Sequence, residues 1–431
     1  MTTSELQNTL WWARRGQPPA VNPLAHDLQV DVAVIGGGFT GLTAALHLAR
    51  RGARVAVLEA RTIGSGASGL NAGFVVPSFA KADPATVIAR LGEARGRKLL
   101  EMIGQGADRV FSTVREHGIA CDAEQTGWMN VAHTADMLEV LRVRAEAWKR
   151  LGRPVRILEQ EEARERTSLR HCAGALLDES GGVLDPLAYT HGLARAALAA
   201  GADLFDGAAI DRIDRRGSHW ELSSGSRRVQ AGKVLLCTNA TRHGVAGRLF
   251  NAIVPLRVYQ IATQTMPAEV VRRISPQRNP VADTRANLFT YRLTADNRIV
   301  SGAMAILPLG AHRRMARYIV ERLAAELELP FVPQAEHVWR GIAAMTPDFL
   351  PHLYEFGPNF VGGIGCNGRG VALTAMLGEV MADAAMGRPL ADLPVPVAST
   401  RGIPFHAFAQ AAPSVAIAQA RLQDALSLRQ G

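Results

Sequence analysis

The apolar positions of this chain change period several times, and the first change is the sharpest. Val32 to Ile35 form a solid apolar run, Gly36, Gly38 and Gly41 follow at G-x-G-x-x-G spacing, and an apolar helix pattern leads to Arg54-Val-Ala-Val-Leu-Glu59. This order predicts a βαβ unit over about 29–60. Gly36 permits the tight turn, Gly38 lets the backbone approach a pyrophosphate, and Gly41 lets the helix pack closely on the strand. Phe39 and Thr40 open the helix, whose positive N-terminus faces the phosphates. Glu59, with Ala60 and Arg61 after it, ends the second strand where a carboxylate accepts hydrogen bonds from an adenosine ribose and repels a 2′-phosphate. The segment therefore predicts binding of an adenine dinucleotide and disfavours NADP.

Further along, the period of 3.6 predicts a helix pair over Pro84 to His117, helices over Asp136 to Leu151 and Leu158 to Arg166, and an Ala/Leu helix over Pro186 to Ala200. Short strands follow over Ala202 to Ile213, His219 to Leu222, Arg228 to Gln230 and Val234 to Cys237, returning the chain to the dinucleotide domain at Thr238-Asn239. Strand patterns over Val254 to Thr265 and Asn287 to Met304 predict an antiparallel sheet, and His312 to Leu327 a helix. Phe360 to Gly365 then reads as a strand, Cys366 to Gly370 as a turn and Val371 to Met386 as a helix. Residues 1–27, with Trp11-Trp12 and three prolines, read as an irregular arm packed by its indoles.

The predicted class is α/β. A Rossmann-like cofactor domain is assembled from residues 1–80, 166–245 and 338–431, the last ending in a C-terminal helix. An inserted α+β substrate domain with an antiparallel sheet takes 81–165 and 246–337. At 431 residues the chain can bury such cores. Its formal net charge of +9 comes almost wholly from dispersed Arg rather than from a run or stripe, which argues against a nucleic-acid partner. A compositional preference for Arg and attraction of an anionic cofactor and a carboxylate-bearing substrate both account for it. No apolar run is long enough to span a bilayer, and the start carries no signal-peptide pattern, so a cytoplasmic protein is expected. Cys121, Cys172, Cys237 and Cys366 stand singly, suggesting neither a metal site nor a disulfide framework.

A second small-residue loop, Thr62-Ile-Gly-Ser-Gly66-Ala67-Ser68-Gly-Leu-Asn71-Ala72-Gly73, lies close behind the first, more than NAD normally needs. With Leu184-Asp-Pro-Leu-Ala-Tyr189, Trp339-Arg-Gly341-Ile-Ala-Ala-Met-Thr-Pro-Asp-Phe-Leu-Pro351 and Gly362-Gly-Ile-Gly365-Cys-Asn367-Gly368-Arg369-Gly370-Val371, it resembles the D-amino-acid-oxidase-like (DAO) FAD amine oxidoreductases over nearly the whole chain. The pattern is most similar to the γ-glutamylputrescine-oxidase, glycine-oxidase and sarcosine-oxidase branches. Arg369 departs from the His that many members carry in the last loop.

The resemblance implies FAD, held by Gly36, Gly38, Phe39, Thr40, Gly41, Glu59, Ala60, Arg61, Gly66, Ala67, Ser68, Asn71, Ala72, Gly73, Ile210, Thr238, Asn239, Gly341, Gly365, Asn367, Gly368, Arg369, Gly370 and Val371. A reduced flavin carries negative charge at N1/O2, which the Gly368-Arg369-Gly370 turn and its helix N-terminus would stabilise. The implied reaction is hydride transfer from the C–H of a small amine or amino acid to flavin N5, giving an imine that water hydrolyses. The cofactor supplies the redox chemistry, so no Ser-His-Asp or metal constellation is required, and His337 and His352 are read as packed or exposed. Dehydrogenation of a C–OH uses the same architecture, and a flavoprotein module without small-amine activity also stays open. Tyr259, Tyr291 and Arg292 occupy strands that form the family's pocket wall, with Arg292 and Arg369 as carboxylate anchors. In sarcosine-oxidase relatives a linking Cys stands at the place of Gly341, so FAD is expected to be non-covalent. Val300 occupies the place of those relatives' oxygen-activating lysine, which implies slow reaction with O₂ and a dye or quinone as the better acceptor.

Overall fold

In the computed structural model, which describes residues 3–307, 309–410 and 412–427, the chain builds two large sheets. The first centres on parallel strands. Leu28–Ile35 lies between Val55–Leu58 and Arg227–Leu236, with Ile35 level with both Leu58 and Leu236. Asp203–Asp206 extends the sheet beyond Val55–Leu58, and Phe360–Ile364 extends it beyond Arg227–Leu236. Side-chain alternation divides the central strand between two cores. Val32 and Val34 pack with helices Phe39–Arg50, Pro186–Ala199 and Gly370–Ala385, whereas Ala33 and Ile35 pack with Trp220 and Leu222 of a β-hairpin. Gly378 lets two of the helices cross closely, since a Cβ there would stand 2.7 Å from the Thr40 carbonyl oxygen.

The second sheet runs Ala335–Met345, Val254–Thr263, Ile299–Met304, Thr290–Leu293, Val281–Asp283, Trp128–Ala132, Gly174–Asp178, Val155–Glu159. All its pairings are antiparallel except that of Val281–Asp283 with Trp128–Ala132. One face is covered by helices Gln160–Thr167, Ala268–Ile274 and Ala311–Glu326. The other carries helix Ala135–Arg150 over Ala132, Val155 and Leu176, and at its far end packs Ala262, Val300 and Trp339 on Leu70.

Several expected boundaries move. The cut near 166 is displaced because Gly174–Asp178 still belongs to the second sheet, and the cut at 338 falls inside one of its strands, Ala335–Met345. Leu158 lies in strand Val155–Glu159, and the helix begins only at Gln160, where the acidic first turn of Glu161 and Glu162 favours it. Trp128–Ala132 was not anticipated: all five residues are buried, so no polar alternation marks it. The predicted strands at 228–230 and 234–237 are one strand, Arg227–Leu236. Among the described residues, no helix is long and apolar enough to cross a membrane.

Candidate active site

The level ends of the parallel strands bring four loops to one edge of the first sheet, the position where open α/β sheets bind ligands. Gly36 takes a φ of 110°, and a Cβ on it would lie 2.7 Å from the Cys237 carbonyl oxygen. A Cβ on Gly41 would overlap the Gly36 carbonyl, so only glycine lets the helix start against its own strand. At Gly38 a Cβ would come within 2.8 Å of Ser68 Oγ, which accepts the Phe39 N–H at 2.9 Å. The two small-residue loops are thus fastened to each other. Glu59 accepts the N–H groups of Gly37 and Arg61 at 2.8 and 3.0 Å, which fixes its carboxylate beside the fingerprint; Ala60 between them is exposed.

Asn71 closes the short helix Ala67–Leu70 by donating to the Ala67 and Ser68 carbonyls, and its Oδ1 accepts the Gly73 N–H at 2.8 Å. Ala72 packs against the apolar cluster around Trp11 and Trp339. Ile210 lies in the core beneath the strand ends with Ile35, Leu58 and Leu236. Beyond Cys237, Thr238 Oγ1 is buried without a partner and Asn239 takes a φ of 48°.

The last loop turns through Gly365 (φ 112°), Asn367 (φ 47°) and Gly368 (φ 81°). Buried Asn367 organises it: its Oδ1 accepts from Thr346 N and Oγ1 at 2.8 and 3.1 Å, and its Nδ2 donates to the Gly365 carbonyl at 3.0 Å. Helix Gly370–Ala385 then starts with Val371 in the core and no side-chain cap from Arg369. Two helix N-termini reach this edge without a cap from their own N-cap residues Gly38 and Arg369, although Ser68 takes the Phe39 N–H of the first. Backbone-lined cradles that a Cβ would fill, together with the orphaned Thr238 and Ser65 hydroxyls, fit a dinucleotide.

Strand alternation separates the predicted pocket residues. Tyr259 and Tyr291 point away from the cleft, into the helix-covered core: the Tyr291 hydroxyl donates to the Thr167 and Ile274 carbonyls, and the Tyr259 ring meets His312 edge-on. Their expected place in the pocket wall is therefore corrected, because neighbouring strand residues face opposite sides. Arg292 and its cross-strand partner Val300 lie on the other face. Yet the Arg292 guanidinium donates to the Leu184 carbonyl at 3.0 Å and sits 5.0 Å over the Trp11 ring. Burial, partly offset by Asp185, lowers it to about 10. Val300 is enclosed with Leu70, Ala262 and Trp339. Arg298 is tied to Asp296 and Glu336.

Arg369 differs. Its guanidinium lies 4.5 Å over the Trp128 ring and, among the described residues, has no carboxylate or carbonyl partner. Burial first, then the neighbouring Arg144, lowers it to about 10, so it remains cationic at neutral pH. Trp128 packs with Val76, Ala282 and Phe74. Nothing in the sequence alone assigns Trp128 a role. Gln260 was also missed; with Trp339 it donates to the Leu70 carbonyl of the cofactor loop, each at 3.0 Å. It also stands 3.4 Å from where a Cβ on Gly341 would lie. His352 is half-buried and paired with Asp348 at 2.9 Å.

The DAO family, described as FAD dependent oxidoreductase, matches residues 31–384. The chain belongs to this family. It is therefore an FAD-dependent oxidoreductase, and the cradle above is where its cofactor domain gathers its loops. It is 29% identical over 398 residues to γ-glutamylputrescine oxidoreductase of Escherichia coli (strain K12), covering 90% of this chain and 93% of that protein. It is 28% identical over 334 residues to glycine oxidase of Geobacillus kaustophilus (strain HTA426), covering 75% and 84%. The L-proline dehydrogenase of P. horikoshii shares the fold, with a TM-score of 0.71 at 20% identity over 86% of this chain and 96% of that one.

Proposed function

We propose that this enzyme oxidises the C–N bond of a small, carboxylate-bearing amine or amino acid to an imine, which water then hydrolyses. The observation that carries the reading is Arg369, a cation without an anionic partner among the described residues, set on an aromatic face at the start of helix Gly370–Ala385. Bound FAD would accept the two electrons, held by the loops at Gly36–Gly41, Glu59, Ser68–Gly73 and Gly365–Val371. Arg369 would receive the carboxylate in a two-pronged bond, and Trp128 would fix the guanidinium plane and keep water from it. The names of two relatives, γ-glutamylputrescine oxidoreductase and glycine oxidase, support an amine as the reacting group.

Arg369→Met should weaken apparent affinity for the preferred substrate by about 2–5 kcal/mol, as for one lost partner of a buried charge pair, while barely changing affinity for its methyl ester. Unchanged affinity for the free acid would remove Arg369 as the anchor. The apolar surroundings of Val300 and the engagement of Arg298 favour a dye or quinone over O₂ as acceptor. Stopped-flow reoxidation of substrate-reduced enzyme in air should lag behind dye-linked turnover; reoxidation that keeps pace would make it an oxidase.

A further inference from the structure

The N-terminal arm lies outside the residues that match the family, yet it reaches the cofactor loop. Its two short helices, Thr3–Gln7 and Leu10–Ala13, lay Leu6, Leu10 and Trp11 against Leu70, Leu187, Val300 and Trp339. Trp11 has no exposed surface and meets Trp339 edge-on at 6.0 Å. Buried Glu5 pins the arm's other end, accepting the Arg340 N–H at 3.0 Å and pairing with His312 at 3.1 Å.

Two successive carbonyls of the cofactor loop are each held by an indole. Trp339 Nε1 donates to Leu70 O at 3.0 Å, and Trp11 Nε1 donates to Asn71 O at 2.9 Å. The Asn71 side chain in turn fixes the Ala67, Ser68 and Gly73 backbone. The bond is part-buried under the Trp11 ring, so removing the N–H while the ring stays in place leaves Asn71 O without its donor and loosens the loop.

We propose that Trp11 is a positioning residue for the FAD loop, so that docking of the N-terminal arm and occupation of the FAD site are thermodynamically coupled. By reciprocity, FAD must hold the arm as firmly as the arm favours FAD. Arg14 and Arg15, directly after the second helix, offer a tryptic site that reports on arm docking.

The test uses Trp11→Phe, which keeps an aromatic ring but removes the N–H. FAD should bind about 10-fold more weakly than to wild type. Saturating FAD should slow tryptic cleavage at Arg14 and Arg15 in the wild type, and slow it less in the variant. A purely structural role would lower the urea midpoint of the apoprotein without moving either readout. An FAD dissociation constant within about two-fold of wild type, or wild-type cleavage indifferent to FAD, would overturn the proposal. Should Trp11→Phe fail to fold, Glu5→Gln loosens the arm at its other anchor, and the same two measurements decide.

Discussion

Asn367 offers a stringent check on how the C-terminal cofactor loop is held. Replacing it with Ala strips the partner from the Thr346 N–H and from the Gly365 carbonyl, both tied to its side chain within 3.0 Å. Thr346 Oγ1 keeps its 2.7 Å bond to the Leu350 carbonyl, so that hydroxyl stays satisfied. Each buried backbone group left unpaired costs about 1–3 kcal/mol. Ala at the left-handed φ of 47° adds roughly 1 kcal/mol, because Asn tolerates that region better. A loss of about 3–7 kcal/mol follows for Asn367→Ala, shared between folding and FAD binding. Asn367→Gly loses the same hydrogen bonds but not the left-handed conformation, so it should recover about 1 kcal/mol. The assay is the FAD dissociation constant from flavin fluorescence quenching, paired with the thermal midpoint of the holoprotein. Wild-type behaviour of Asn367→Ala in both would refute the argument; a Gly variant weaker than the Ala variant would refute its conformational part.

A pH-dependent effect is expected at Asp206. Its carboxylate accepts the Ile63 N–H at 3.0 Å, and burial, aided by nearby Glu59, raises it to about 6 despite that bond. The folded state thus binds this proton more tightly than the unfolded chain, whose Asp titrates near 3.9, so ionisation weakens the fold as pH rises from about 4 to about 6. Asp206→Asn should stabilise the protein by on the order of 1 kcal/mol at neutral pH, after allowance for solvent screening. The gain should vanish below about pH 4, and urea midpoints showing a gain independent of pH would contradict the assignment.

The cofactor half of the fold was legible because its glycines are demanded by backbone contacts. Gly36 and Gly41 stand where any side chain would strike a carbonyl, and such constraints leave a fixed spacing in the sequence. The second sheet was legible only in part. Its strand Trp128–Ala132 is buried on both faces, and five residues with the one polar side chain, Asn130, also buried carry no period that separates strand from helix. The tyrosine assignments failed for a reason already present in the sequence. Tyr291 and Arg292 are consecutive in one strand, so both could not face one pocket, and Arg292 pairs with Val300 across the sheet. The contacts of Arg369 with Trp128, and of Trp11 with Asn71, join segments far apart in the chain. No local pattern encodes them.

The central claim, oxidation of a carboxylate-bearing amine by a flavin, is tested most directly by anaerobic titration of the purified holoprotein with a panel of amines, amino acids and 2-hydroxy acids. At least one amine or amino acid carrying a carboxylate should bleach the yellow flavin absorbance, and the corresponding hydroxy acid should not. Bleaching by hydroxy acids alone, or by no amine in the panel, would contradict it.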